Sequence, residues 1–178
     1  MAEDQWKRTG KQFTLWEGTR GSEFRIAGVP FRIPVVNGFV RPLLLTREMP
    51  VTIPVGRECE RLHILGQVTF PTGYPVIGKR GETVATYHLR YIGGRERQVL
   101  LRNGIEVAQA NLIYAATRIA PIATAAQPVL KYVKDVVREQ YQVLFWTVPL
   151  EKGKLQTLQC EVQRGQPTLA IFAMTAEY

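Results

Sequence analysis

The chain has 178 residues, of which 46% are hydrophobic and 21% charged, and its net charge is +8. This balance is typical of a compact folded protein, and the length predicts one domain. The longest uncharged stretch, residues 62–78, is interrupted by prolines and glycines, so no segment supplies the roughly 18 consecutive apolar residues of a membrane helix. Residues 1–12 contain no apolar stretch of the signal-peptide kind. We therefore expect no membrane partner and no signal peptide.

The positive charge is spread along the chain and forms no basic arm. Such charge favours polyanionic partners, among them acidic polysaccharides, lipid headgroups and nucleic acids. The densest basic spots are only pairs, Arg95 with Arg97 and Lys131 with Lys134. A solvated basic surface is therefore the simpler interpretation, and we do not expect a nucleic acid partner.

No metal or other cofactor is expected from the residue types. The chain contains only two aspartates, Asp4 and Asp135, whereas a calcium site collects several carboxylates within one loop, so calcium is not supported by the sequence. Cys59 and Cys160 lie far apart and outside any CxxC or CxxH pattern, which argues against zinc. Both cysteines lie in apolar runs, which predicts buried free thiols, with a disulfide between strands as the alternative.

Short apolar or alternating runs, separated by Gly, Pro and Asn, recur along the chain and predict strands. They cover residues 23–27, 39–45, 51–55, 61–70, 83–91, 97–102, 142–148, 155–163 and 168–175. Gly93 and Gly94 predict a two-residue hairpin turn, and residues 164–167 predict a second reversal. We expect an all-β protein, an antiparallel β-sandwich with at most one short helix. Residues 1–22 would form an extension or first strand, and residues 23–178 a single β-sandwich domain.

One segment, behind Pro128, departs from the strand pattern. Five apolar residues there follow the helical spacing i, i+3, i+4, i+7 and i+8, namely Val129, Tyr132, Val133, Val136 and Val137. Proline suits the first position of a helix. The valines also fit a strand, so a short helix and a strand both remain open.

Period-two alternation predicts which side chains of two runs face outward. In residues 84–91 the apolar face would be core, and the other face would carry Val84, Thr86, His88 and Arg90. In residues 157–163 the outward set is Thr157, Gln159, Glu161 and Gln163. If the two runs are neighbours in one sheet, their outward side chains form a polar platform for an extended ligand.

Residue patterns for catalysis are weak. The chain has one serine, Ser22, and two histidines, His63 and His88, without a GxSxG pattern. His63 lies in an apolar run, which favours a hydrogen-bonded core histidine. Two carboxylate pairs could share a face, Glu58 with Glu60 and Asp135 with Glu139, but neither lies in an aromatic-rich loop of the kind that holds a sugar. We therefore favour a non-catalytic protein.

Aromatic residues offer a better link to sugars, because sugars stack their C–H faces on aromatic rings and bond to Arg, Gln, Asn and Glu. The aromatic candidates are Trp146, Tyr74, Tyr114 and Trp16. Trp146 is the candidate for the stacking platform. For each ring taken singly, core packing is the simpler interpretation.

Three blocks resemble a known family. Residues 61–66 read Arg-Leu-His-Ile-Leu-Gly, residues 81–94 end in a Tyr-x-Leu-x-Tyr-x-Gly-Gly hairpin, and residues 99–104 read Val-Leu-Leu-Arg-Asn-Gly. Together with residues 148–158 and 168–175, they resemble the galactose-binding-like, jelly-roll β-sandwich domains attached to bacterial glycoside hydrolases and polysaccharide lyases. At residue 93 the family commonly has an acidic residue, whereas this chain has glycine.

The resemblance implies a non-catalytic carbohydrate-binding module, an accessory to a carbohydrate-active enzyme. Its partners would be a polysaccharide or oligosaccharide and a catalytic domain of the same polypeptide. The net charge of +8 favours acidic over neutral chains. Such a module would be secreted or periplasmic. Two alternatives are a structural β-sandwich that packs on a catalytic domain without binding sugar, and a small carbohydrate-active enzyme. The predicted ligand-binding residues are His88, Arg90, Trp146, Gln159, Glu161, Tyr74 and Tyr114.

Overall fold

A computed structural model describes residues 23–36, 39–40, 42–70, 79–110, 123–134, 139–164, 166 and 168–178. Within these residues the regular elements are all strands: β1 Glu23–Ile26, β2 Val29–Arg32, β3 Val35–Val36, β4 Phe39–Val40, β5 Leu43–Leu45, β6 Val51–Glu58, β7 Arg61–Phe70, β8 Thr83–Tyr91, β9 Glu96–Arg102, β10 Ala108–Gln109, β11 Gln127–Lys134, β12 Glu139–Pro149, β13 Lys154–Val162 and β14 Thr168–Glu177. The described part of the chain contains no helix that could cross a membrane.

The strands form two main sheets. A six-stranded sheet has the order β11-β12-β7-β14-β5, with β10 pairing beside β7, and a four-stranded sheet has the order β6-β13-β8-β9. All pairings in these sheets are antiparallel except the parallel pairing of β10 with β7. β1 pairs with β2, and β3 with β4, in separate two-stranded ribbons.

The larger hydrophobic cluster fills the space between the two main sheets. It contains Leu62, Ile64, Leu169 and Ile171 from the six-stranded sheet, and Tyr87, Leu89, Leu158 and Cys160 from the four-stranded sheet. A second cluster covers the other face of the six-stranded sheet. Phe31 of β2 packs there against three residues of the sheet, Leu65, Leu144 and Phe172. The predicted antiparallel β-sandwich is therefore confirmed, and the β1–β2 hairpin adds a third layer to it.

Most predicted strands are observed, and two of them, β7 and β8, have the predicted bounds. Three strands were missed. β2 contains Pro30, which lowers strand propensity, and β3 and β10 have only two residues each. The segment behind Pro128 is a strand through Lys134, paired with β12, so the helical interpretation is wrong there. Its β-branched valines fit the pleated sheet, and residues 135–138 lie outside the described residues.

The predicted hairpin at Gly93 and Gly94 connects β8 to β9. The loop has three residues, Ile92, Gly93 and Gly94, and not the predicted two, because Tyr91 N–H donates to Arg95 O at 2.8 Å and Gly94 N–H donates to Tyr91 O at 3.1 Å. Both glycines have positive φ, at 95° and 86°. Cys59 and Cys160 are free and buried, which confirms the favoured prediction for the thiols. The predicted extension, residues 1–22, and two residues of the second reversal, Gly165 and Pro167, lie outside the described residues.

Candidate functional site

The outer face of the four-stranded sheet brings together four of the predicted binding residues. β8 and β13 are neighbours, with His88 opposite Gln159 and Thr86 opposite Glu161. Arg90 follows two residues after His88 on the same face, as period-two alternation dictates. The assumption that the two polar runs share a sheet is therefore confirmed by the strand pairing.

Rows of side chains cross this face perpendicular to the strands. The register through all four strands places one polar row at Thr52, Gln159, His88 and Gln98. The next row contains Pro54, Thr157, Arg90 and Glu96. Since neighbouring strands are about 4.8 Å apart, each row spans roughly 14 Å. We call this surface the outer polar face.

Charges on the outer polar face are paired. Arg90 Nε donates to Glu96 Oε1 at 2.8 Å, with both side chains well exposed. His88 Nε2 lies 3.3 Å from Glu161 Oε2, but the carboxylate stands off the N–H direction, so this nitrogen makes no linear hydrogen bond. The His88 contact is an ion pair only when the imidazole is protonated.

One end of the predicted polar face is not open to solvent. Val84 and Thr86, which alternation assigned to the wet face, are only 2% and 4% exposed. Gln163 Nε2 donates to Thr86 Oγ1 at 3.2 Å. This corrects the prediction that one whole face of β8 is wet, because the accessible part begins at His88.

The structure does not bring the predicted aromatic platform to this face. Trp146 lies on β12 of the six-stranded sheet, opposite Ile64, half-buried and packed against both hydrophobic clusters. Tyr74, Tyr114 and Trp16 lie outside the described residues. The outer polar face therefore consists of His88, Arg90, Gln159 and Glu161 with their row neighbours.

A second feature, which we call the hairpin cleft, opens between the β1–β2 turn and the adjoining ends of β7 and β14. Its volume is about 540 Å³. It is lined by Ala27, Gly28, Val29, Pro30, Arg61, His63, Thr175, Ala176, Glu177 and Tyr178. Thr175 Oγ1 donates to Pro30 O at 2.6 Å, which ties the wall of the cleft to β14.

The polar group of the hairpin cleft is centred on His63, which is 5% exposed. Its Nδ1 lies 2.9 Å from Thr147 Oγ1, and its Nε2 lies 2.9 Å from Glu177 Oε2. The ring stacks on Phe145, with 5.9 Å between centroids and 8° between planes. Because the threonine hydroxyl can donate or accept, both hydrogen bonds persist in either protonation state of the imidazole. His63 is thus the hydrogen-bonded core histidine that the sequence predicted.

Glu177 is held from two sides. In addition to the bond from His63, Arg61 Nη1 donates to both carboxylate oxygens of Glu177, at 3.2 and 3.1 Å. The hydrogen bond from His63, and then that from Arg61, holds the pKa of Glu177 below its ordinary value. Glu177 is therefore an ionised acceptor at neutral pH.

The chain matches no family model, no curated protein and no solved structure.

The outer polar face and the hairpin cleft are the two candidate sites among the described residues. In the described part of the chain, no three residues among His, Cys, Asp and Glu come together as metal ligands. Thr147, His63 and Glu177 form a hydroxyl–imidazole–carboxylate chain of hydrogen bonds, the order found in a catalytic triad, and the imidazole is buried against Phe145. The imidazole therefore orients the carboxylate of Glu177.

Sequence analysis missed the hairpin cleft. Arg61 and Glu177 are direct partners in the β7–β14 register, although 116 residues separate them. No local pattern signals that pairing. Arg61 and His63 at the start of β7 were a local indication of the cleft, but the sequence pattern was interpreted only as a core strand.

Proposed function

We propose that this protein is a non-catalytic carbohydrate-binding module that recognises a polysaccharide on the outer polar face. The observation that carries the proposal is the register of β8 with β13, which sets His88 beside Gln159 and Arg90 beside Thr157. Amides, hydroxyls and a guanidinium at strand spacing suit the hydroxyl array of a sugar chain. A row across four strands gives an extended chain several successive contacts.

The resemblance of the sequence to galactose-binding-like jelly-roll domains supports the same proposal. On that basis the protein is an accessory to a carbohydrate-active enzyme, with the catalytic domain as its second partner. The two-sheet antiparallel sandwich is compatible with this family, although the family itself rests on the sequence resemblance alone.

The alternative, a structural domain that packs on a catalytic domain without binding sugar, would be favoured by a continuous exposed apolar patch. Among the described residues, the large exposed hydrophobic side chains are Met49, Ile92, Leu100 and Tyr178. They belong to a turn, a hairpin tip, β9 and the end of the chain. These scattered positions favour the sugar-binding proposal.

Isothermal titration against neutral and acidic polysaccharides tests the proposal. We expect Arg90→Ala to weaken binding roughly tenfold, because a hydrogen bond to a charged group contributes about 1.5–3 kcal/mol. Gln159→Ala should weaken it less, since a neutral hydrogen bond contributes about 1 kcal/mol. Arg90 is exposed, and among the described residues its ion-pair partner is exposed Glu96, so its removal should leave the fold intact.

Arg32→Ala is the matched control, because it removes the same charge from an exposed position on β2, away from the four-stranded sheet. Unchanged affinity in both Arg90→Ala and Gln159→Ala would exclude the outer polar face. Arg90 on this face is paired with Glu96, so a preference for acidic chains would come from the net charge of +8. Binding to an acidic chain should then weaken as salt is raised above about 0.1 M.

A further inference from the structure

The hairpin cleft and the outer polar face lie on opposite sides of the six-stranded sheet. Leu62 and Ile64 of β7 point into the cluster between the two main sheets, while Leu65 belongs to the cluster on the other side. His63 alternates with Leu62 and Ile64, so its ring faces the β1–β2 hairpin, away from the four-stranded sheet. A ligand in the cleft would be independent of one on the outer polar face.

We propose that the hairpin cleft is a second binding site, which takes a single neutral sugar unit or a neutral chain end. The proposal rests on carbohydrate binding as the proposed function. It adds a site of a different kind, since the outer polar face is an open surface and the cleft is enclosed on several sides. Its volume of about 540 Å³ lies within the range of small-molecule sites.

The carboxylate of Glu177 is oriented before any ligand arrives. His63 holds Oε2 at 2.9 Å and is itself fixed by Thr147 and by stacking on Phe145. Arg61 holds both oxygens from the other side. Among the described residues, Oε1 accepts only the bond from Arg61, so it can accept another from a ligand hydroxyl. A group fixed in this way loses little conformational entropy on binding.

The charges around the cleft select a neutral ligand. The ionised carboxylate of Glu177 would repel an anionic group that entered the cleft. Arg61 bonds to both oxygens of that carboxylate, and its guanidinium disfavours a cationic ligand. A polyhydroxylated neutral ligand fits, because it donates to the carboxylate and accepts from the guanidinium.

The remaining walls suit the apolar side of a sugar. Val29, Pro30 and Ala176 line the cleft, and the exposed ring of Tyr178 stands at its mouth. The C–H face of a pyranose stacks on such a ring while its hydroxyls reach the polar group. The cleft therefore offers a stacking ring next to an oriented carboxylate and guanidinium, a combination that the described part of the outer polar face lacks.

Titration of the full chain with cellobiose, maltose, lactose and xylobiose, followed by backbone amide shifts in NMR, tests the proposal. We expect at least one disaccharide to shift the amides of Gly28, Glu177 and Tyr178. Glu177→Gln should weaken that binding about tenfold. Tyr178→Ala should weaken it about threefold or more. Tyr178 is exposed, so its variant tests the site without disturbing the core.

Glu48→Gln is the matched control, because it makes the same exchange at an exposed turn position outside both sites and should leave disaccharide binding unchanged. Shifts confined to the four-stranded sheet, no shifts with any probe, or full affinity in both cleft variants would each overturn the proposal. Either proposed site can be disproved without disproving the other. Arg90→Ala reports on polysaccharide binding at the outer polar face, whereas Glu177→Gln and Tyr178→Ala together report on the cleft.

Discussion

Burial determines the chemistry of the thiol of Cys160. Its side chain lies on β13 opposite Tyr87, and both residues are fully buried. Burial raises the pKa of Cys160 to about 12, and burial followed by the nearby Cys160 raises the pKa of Tyr87 well above its ordinary value. Both groups are therefore neutral members of the core. Cys59 is also buried, and burial raises its pKa.

We expect neither thiol to react with Ellman's reagent in the native protein near pH 8, because the thiolate is the reactive form and the reagent cannot reach the core. In denaturant both thiols should react. Cys59→Ala and Cys160→Ala assign any residual native reaction to one site. Rapid native reaction that is lost in Cys160→Ala would contradict the buried position of this residue.

Among the strands, the close packing of β14 against β7 depends on one glycine. Gly66 has a φ of +135°, and a Cβ at this position would lie 2.8 Å from Ala170 O and from Ile171 Cα. The β14 register shifts there, because Ile171 is opposite Gly66 and Ala173 is opposite Leu65. The irregular strand thus passes over a position where only hydrogen leaves room.

We expect Gly66→Ala to lower the free energy of unfolding by about 2 to 5 kcal/mol, from backbone strain together with overpacking. The matched control is Gly56→Ala, because Gly56 also has a positive φ, +64°, but has open space at the Cβ position. Its cost should be about 1 kcal/mol. Urea denaturation of the three proteins measures the difference. Equal losses for the two variants would contradict the close approach of β14.

Local patterns predicted elements better than they predicted how the elements combine. The alternation in β8 and β13 and the glycine pair between β8 and β9 depend on neighbours in sequence, so these features could be read directly. The position of β7 between β12 and β14 could not, because the pairings join residues far apart in the chain. The burial of Val84 and Thr86 could not be predicted either, because alternation gives the face of the strand on which a side chain lies and not what covers that face.

Acid stability is a property of the whole molecule, and Glu177 contributes to it. Its pKa is lower in the folded protein than the ordinary value of 4.5, because His63 and Arg61 bond to the ionised form. A carboxyl group with a lowered folded pKa stabilises the fold fully above its ordinary pKa, and this contribution is lost as pH falls through the folded value. Acidification therefore lowers the contribution of Glu177 to the stability of the fold.

We expect the free energy of unfolding of the wild type to fall below about pH 4.5 and the decline to be shallower in Glu177→Gln. Thermal unfolding between about pH 6 and pH 3, followed by circular dichroism, measures this decline in stability for both proteins. Glu48→Gln, at an exposed turn position, controls for the loss of charge alone. A wild-type decline that Glu177→Gln leaves unchanged would show that other groups control acid unfolding.

The two candidate sites differ in how far the sequence could predict them. The outer polar face follows from alternation in two runs once these are adjacent, so His88, Arg90, Gln159 and Glu161 were identified together. The hairpin cleft joins β1–β2 to strands near the middle and end of the chain, and its central contacts link residues 114 and 116 positions apart. Only the order of the strands brings them together.

Pro54, in the second row of the outer polar face, has a consequence for how copies of the protein behave at high concentration. It lies in the middle of β6, an outer strand of the four-stranded sheet. Proline is tolerated in an edge strand where its nitrogen faces solvent, and there it offers no N–H to an incoming strand. A second copy cannot extend the sheet through this edge with a full ladder. At high concentration, separate copies of the protein therefore leave the β6 edge of the sheet unpaired.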